Sequence, residues 1–523
     1  MTREVVAFRH LNTDVLLQVF EYLRPNGGLR PLSMTCGWVR TETKPVLFKS
    51  CSVIVKEPIS AERFLPQSLW PYVCCLFLID ECPDRIAMRA WLPRSSTVPR
   101  FTSDPLLCGT MDPAFLRITL PAMPRLRLVH LSFHCREIHG IGWDTLAAIL
   151  STPLLRSFTL QSYLFNPRQP PVATSVHSLA PITAFRFVHH VFRRELRKYP
   201  SQEVALGLAI KELRHTLESL MLPNEVTPFA ILSDNEWPRL RELHLNGELR
   251  PSPDSHRPFV SLFSGMPSLR VLKLELAIPE SVNRQVLHLW PQDHEARFPW
   301  PDLDDLTVSF PSPDDQIYPH LPLSMRRLSL RCTPHHCFYL WEPHRLPYTQ
   351  SPILCASEML EILTKINAPH LDHLLLEYRA DDAEDELWRC VARRFSQLTT
   401  LEIHRFQSLG GDNVTLNDIA LRPAELPNLL TLRVHLELEA TEAFQVTSVA
   451  PNHCANTYLA TLQQTAAILA STLAHRNLKL WLLRQDLRGA TWILFRLVQE
   501  QDIKGPRVEM DPEGGKGVQM RYI

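Results

Sequence analysis

At 523 residues the chain is longer than one compact core usually supports, so several domains or an elongated repeat fold are expected. Lys plus Arg and Asp plus Glu each total 55, which removes the basic excess that general nucleic-acid binding needs, while 45% hydrophobic and 21% charged residues exclude global disorder. Pro is frequent at 44 residues and Gly scarce at 16, a balance that suggests repeated stops at fixed positions instead of flexible linkers.

The first element lies in residues 8–55. Asn12-Thr13-Asp14 supplies an N-cap, and Val15, Val19 and Leu23 then recur at helical spacing with Leu16 and Phe20 beside them. Pro25-Asn26-Gly27-Gly28 breaks this helix. A second helix is expected from about Leu29, with Leu32, Cys36 and Val39 on one side, and Pro45 precedes a short Val46-Leu47-Phe48 turn. Val15 and Cys36 read as core positions. So small a helical unit carries more apolar surface than it can bury alone, so part of it should meet another chain or the rest of this one.

Beyond it the pattern L-x-x-L-x-L recurs. Clear cases are Leu126/Val129/Leu131, Leu155/Phe158/Leu160, Leu217/Leu220/Leu222, Leu240/Leu243/Leu245 and Leu269/Leu272/Leu274. Leu303/Leu306/Val308, Met325/Leu328/Leu330, Leu371/Leu374/Leu376, Leu398/Leu401/Ile403 and Leu429/Leu432/Val434 follow, and Val73/Leu76/Leu78 and Phe115/Ile118/Leu120 match more weakly. The last two apolar residues of each triad alternate, as in a short strand buried on one face. Pro124, Pro153, Pro238, Pro267, Pro301, Pro369 and Pro427 each stand two residues before a triad, where a proline ends any incoming helix. The segments 144–150 and 359–366 read as such helices. Helix, proline and short strand in repetition describe an α/β leucine-rich-repeat solenoid, with parallel strands on its concave side and helices on its convex side.

The longer gaps place inserts near 161–216 and 331–357. The first holds Asn166-Pro167-Arg168-Gln169-Pro170-Pro171 and then an expected helix with His189, His190, Arg193, Arg194, Arg197 and Lys198, which reads as a solvated basic face. Asp381 to Glu386 reads as an acidic helix start. From about residue 455 a C-terminal cap is expected: Leu459, Leu462, Ala466, Leu469 and Leu473 step as an amphipathic helix, Leu478, Leu480 and Leu482 alternate, and 485–500 reads as helix. Asp511-Pro512-Glu513-Gly514-Gly515 is a turn between two short last strands.

Twelve cysteines without a C-x-x-C pair read as reduced thiols of the cytosol or nucleus, and neither a signal peptide nor a membrane span is expected. Cys332/His335/His336/Cys337 and His130/His134/Cys135/His139 hold metal-ligand residue types, but ordinary histidines and thiols are the better reading, so no metal and no cofactor are expected. No hydrolase, metalloprotease or nucleotide-binding motif occurs, and no nucleophile stands with a base, so a non-catalytic chain is expected.

The run LNTDVLLQVFEYLRPNGGLRPLSMTCGWVRTETKPVLFKSCSV resembles the F-box of large fungal families of F-box proteins. It shares the opening Leu11, the D-V-L-x-x-V-F-x-x-L core from Asp14, the L-x-x-L-S-x-T-C segment from Leu29 and the P-x-L-F close from Pro45. It departs in having Asn12 where Pro is frequent and Gly27-Gly28 where an acidic residue is frequent. The resemblance implies a three-helix F-box domain over 1–57 and an irregular leucine-rich-repeat domain over 58–523. It further implies a substrate-recognition subunit of a Skp–cullin–F-box ubiquitin ligase, in the cytoplasm or nucleus, with the catalytic chemistry on other subunits. Carried over by position, the surface for a Skp-type adaptor comprises Leu11, Leu16, Val19, Phe20, Leu23, Leu29 and Leu32. An unknown protein substrate would meet the residues that flank the central Leu of each triad, among them Glu242, His244, Lys273, Asp305, Arg327, His373, Glu402 and Arg433. Their mixed signs suit a protein partner and neither nucleic acid nor membrane. The alternative is a scaffold with an F-box-like module and no role in ubiquitin transfer.

Overall fold

The computed structural model describes residues 11–82, 101–133, 140–170, 179–189, 200–249, 257–278, 287–331, 353–408, 414–436, 453–473, 478–486, 489–498, 507–510 and 518–519, apart from positions 26, 105, 163 and 296. The chain packs as two compact units, Met1–Leu220 and Met221–Ile523.

The first unit opens with three helices, α1 (Thr13–Leu23), α2 (Leu29–Ser33) and α3 (Gly37–Leu47). The side chain of Asn12 accepts from the Asp14 N–H at 2.8 Å and starts α1. Gly27 at φ +70° turns the chain after it, a conformation glycine adopts without steric cost. The chain from Leu29 forms two helices, because Cys36 is extended and separates them at the N-cap position of α3. One correction arises: Val46 and Leu47, expected in a turn after Pro45, lie with Pro45 inside the last turn of α3. Leu16, Phe20, Leu29 and Val46 form a small core, flanked by Leu17, Leu23, Leu32, Trp38 and Leu47.

Strands β1 (Ser50–Val55), β2 (Cys75–Asp80), β3 (Leu128–Phe133), β4 (Ser157–Gln161) and β5 (Ala184–Val188) then pair in parallel, each with the next. Helices Pro113–Thr119, Trp143–Leu150 and Pro200–Leu213 stand between strands. Phe115/Ile118/Leu120, expected as a weak repeat, lies on the first of these helices: Asp112 caps it through the N–H groups of Ala114 and Phe115, and that cap overrides a poor strand pattern. The insert 161–216 contains a full strand, β5, and a helix that begins at Pro200; the basic run 190–198 lies outside the described residues. Strand β6 (Ser219–Pro223) spans the boundary of the two units.

In the second unit β7 (Glu242–Glu248), β8 (Val271–Ala277), β9 (Asp305–Val308), β10 (Arg327–Leu330), β11 (His373–Arg379), β12 (Thr400–Phe406), β13 (Thr431–Leu436) and β14 (Lys479–Asp486) form one parallel ladder. Its register sets Leu243, Leu272, Leu306, Leu328, Leu374, Leu401, Leu432 and Leu480 side by side, every one buried. Truncating any of these to Ala removes about 2–5 kcal/mol. The prolines act through turns. In Met123-Pro124-Arg125-Leu126 the Met123 carbonyl accepts from the Leu126 N–H at 3.2 Å, and the same bond recurs at Leu155, Leu240, Leu269, Leu303 and Leu371. Proline at the second turn position has its φ preset for this geometry. One carbonyl per repeat then accepts two successive N–H groups of the next, as Arg270 does from Asp304 and Asp305, and Asp372 from Thr399 and Thr400.

The end of the ladder corrects another expectation. Residues 485–500 are not helical: β15 (Gly489–Val498) runs antiparallel to β14, and β16 (Arg507–Met510) and β17 (Val518–Gln519) run antiparallel to β15. The expected amphipathic helix is present as His453–Leu473. The triads and the parallel sheets make the chain a mixed α/β fold of repeated strands. Among the described residues no helix is long and apolar enough to cross a membrane.

Candidate partner-binding surfaces

Helix α1 has two apolar faces. Leu16 and Phe20 point into the small core, 4% and 1% exposed. About 100° per residue puts Val15, Gln18 and Tyr22 on the opposite stripe, and Val15 and Tyr22 are 44% and 73% exposed. Met34 and Leu11 are exposed as well. Of the residues placed at an adaptor surface by resemblance, Leu16, Phe20 and Leu29 are therefore buried within the helical unit. Val19, Leu23 and Leu32 are half-buried, and only Leu11 is exposed. Conversely Val15 and Cys36, read as core, lie on the surface. The reason is geometric: the seven apolar residues of the eleven-residue α1 cannot all face a core built from two short partner helices.

In the second unit the side chains that flank the central leucines fall into rows across the ladder. One row holds Glu242, Val271, Asp305, Arg327, His373, Thr400, Thr431 and Lys479. The next holds His244, Lys273, Thr307, Ser329, Leu375, Glu402, Arg433 and Trp481. All eight residues named from sequence thus stand in two adjacent rows. Asp305 and Glu402 are nevertheless buried, because short carboxylates on strands spaced about 4.8 Å apart are covered by longer neighbours. Arg327 Nε donates to Asp305 Oδ2 at 3.0 Å. Glu402 accepts from Arg331 and Arg433, each at 3.3 Å, and lies 2.8 Å from His404 Nε2. The Arg433 guanidinium also stands over the rings of Trp481 and Trp492, at 5.8 and 5.9 Å. Glu242, His244, Lys273, Arg327, His373 and Arg433 keep exposed or half-buried side chains.

A third row, two residues further along the strands, was not named from sequence, although its positions share the same alternation. It carries Glu275 on β8, Glu377 on β11, His404 on β12 and His435 on β13, and Arg331 directly after β10. His244 Nε2 pairs with Glu275 Oε2 at 2.7 Å. Burial pushes the Glu275 carboxyl up, but the His244 hydrogen bond and the nearby charges of His244, Lys273 and Arg331 outweigh it and hold the group below the usual range. Burial lowers the His373 imidazole; the carboxylates of Glu402 and Asp305 oppose the shift, and the cations Arg433 and Arg327 add to it.

Of the histidine and cysteine groups weighed as metal ligands, Cys332 to Cys337 and His134, Cys135 and His139 lie outside the described residues. His130 lies on β3 with its ring 5.4 Å from that of Phe77.

No protein-family profile matches the chain, and no curated protein sequence matches it. Among solved structures it is similar to the one titled as the Rad7 and Elc1 complex in yeast, with 13% identity over 84% of this chain and 88% of that chain. The TM-score is 0.32, a loose likeness of chain path.

Proposed function

We propose that this chain is the non-catalytic substrate-recognition subunit of a Skp–cullin–F-box ubiquitin ligase. The N-terminal helices would bind a Skp-type adaptor, and the charged strand rows of the second unit would bind the target protein. The observation that carries this reading is the doubly apolar α1. It keeps Val15 and Tyr22 in solvent while Leu16 and Phe20 already fill the core, which suits a helix that docks on another chain. The F-box-like run supplies the class of partner. The rows support a protein target, because both signs of charge occur along them with Trp481 and Arg433 among them. Ubiquitin transfer would belong to the cullin-bound RING subunit, and this chain would contribute proximity. A ligase subunit of this kind would work in the cytoplasm or nucleus.

The test mixes the purified full chain with a purified Skp-type adaptor and reads the mass by size-exclusion chromatography with light scattering. A one-to-one complex is expected. Two separate peaks at micromolar concentrations of both proteins would remove the F-box reading and leave a scaffold of another kind.

A further inference from the structure

The end of β2 carries a second candidate site, which the sequence did not reveal. Asp80 is the last residue of that strand, paired with Val55 of β1 and Phe133 of β3, and its side chain is fully buried. Cys82 follows two residues later, and its N–H donates to Asp80 Oδ1 at 2.9 Å. Cys108 arrives from a distant part of the chain, held by its N–H to the Gly140 carbonyl at 3.0 Å beside the parallel bridge of Leu107 and Gly140. The Asp80 carboxylate and the two sulfurs all lie within 4.8 Å of one another, and Cys82 and Cys108 are 2% and 9% exposed. Cys108 Sγ is 3.2 Å from Asp80 Oδ2 and 3.0 Å from Thr110 Oγ1, and Thr110 Oγ1 is 3.4 Å from Asp80 Oδ1.

We propose that Asp80, Cys82 and Cys108 bind a zinc ion, with the Thr110 hydroxyl in reach of the fourth position. Three arguments carry it. The donor set of two sulfurs and one carboxylate oxygen suits a borderline-soft divalent cation, whereas calcium and magnesium take oxygens alone. The spacing is compatible: zinc bonds of about 2.3 Å to sulfur and about 2.0–2.2 Å to oxygen put tetrahedral neighbours about 3.3–3.8 Å apart. The contacts among Asp80, Cys108 and Thr110 run from 3.0 to 3.4 Å, and the Cys82 sulfur lies within 4.8 Å of the other two ligand atoms. The supports are rigid, since Asp80 is fixed by a three-strand register and Thr110 by its carbonyl, which accepts from the Ile59 N–H at 2.9 Å. Binding replaces the two thiol protons, which pass to solvent. The dication then faces two thiolates and one carboxylate, a site of net charge −1. The ion would tie the end of β2 to the 106–110 segment, a structural staple far along the sequence from α1.

The test uses the full chain, purified under reducing conditions, loaded with zinc chloride and dialysed. X-ray absorption at the zinc edge is expected to show two sulfur and two oxygen neighbours and no imidazole. Cobalt substitution should give a thiolate charge-transfer band with the strong visible bands of a tetrahedral site. Cys82→Ser and Cys108→Ser should each remove at least about tenfold of the zinc affinity, as should Asp80→Asn, and added zinc should raise the thermal midpoint of the wild-type chain. Zinc lost on dialysis, an imidazole shell, cobalt bands that persist in folded Cys108→Ser, or a Cys82–Cys108 disulfide without metal uptake would each overturn the proposal. The absorption spectrum and the thermal shift use the wild-type chain, so they decide even if every variant fails to fold.

Discussion

Replacing Val15 and Tyr22 together by glutamate is expected to reduce adaptor binding by at least about a hundredfold and to leave the fold intact. Both residues stand on the outward stripe of α1, so the new carboxylates remain hydrated in the free protein. In a complex they would be buried against an apolar groove without partners, at a cost of several kcal/mol. Phe20→Ala acts on the other face. Its ring is 1% exposed in the core with Leu16, Leu29 and Val46, and truncation is expected to cost about 3–5 kcal/mol. That unit is small, so α1 to α3 should loosen, and adaptor binding should fall for a structural reason. Circular dichroism and a urea titration beside the binding curve separate the two cases. If the double glutamate variant binds like the wild type, the outward stripe is not the adaptor surface.

The second large effect is expected at Glu384, in the helix Glu384–Arg394 that follows β11. The sequence marks it as one acid of a helix start, but its side chain is buried and accepts from Arg405 Nε and Nη2 at 2.6 and 3.0 Å. Arg422 Nη1 lies 3.0 Å away and the Tyr378 hydroxyl donates to it at 2.9 Å. Trp388 Nε1 in turn donates to that hydroxyl at 3.0 Å. Glu384→Ala leaves Arg405 buried, and Arg422 nearly so, without their carboxylate, so a loss of about 3–5 kcal/mol in the urea midpoint is expected. A variant that also replaces Arg405 by Met should recover much of it, because the uncompensated charge is the main cost. The same cluster sets a limit at high pH. Burial raises the Tyr378 phenol well above its ordinary value, and the Glu384 charge raises it further. A raised acid stabilises the fold fully below the unfolded pKa of about 10, and that contribution is lost as the pH rises toward the folded value.

The ladder was legible because each strand shows its buried parity directly: Leu272 and Leu274 face the core, and Lys273 between them does not. Where aromatics replaced leucine the reading stopped. Ile182, Phe185 and Phe187 repeat the same triad at β5 and are fully buried, yet no leucine or correctly spaced proline marks them. In β15, Trp492, Ile493 and Phe495 are all buried, so apolar residues fall on both faces and hide the period of two. The outward parity of Asp305 and Glu402 was correct, but parity does not give exposure. Burial there depends on the reach of Arg327, Arg331 and Arg433 from other repeats. The Asp80, Cys82 and Cys108 group was illegible because tertiary contacts bring its members together: among the described residues the Leu107–Gly140 bridge and the Ile59–Thr110 backbone hydrogen bond hold the Cys108 segment beside the end of β2.

The most direct measurement captures proteins from a eukaryotic lysate on immobilised wild-type chain and on the Val15→Glu, Tyr22→Glu variant, and compares them by quantitative mass spectrometry. The adaptor and cullin should vanish together from the variant, while a second set of proteins, sensitive to Arg327→Glu with Lys273→Glu, stays at wild-type levels. Adaptor and cullin missing from the wild-type bait, or equally abundant on both, would contradict the account.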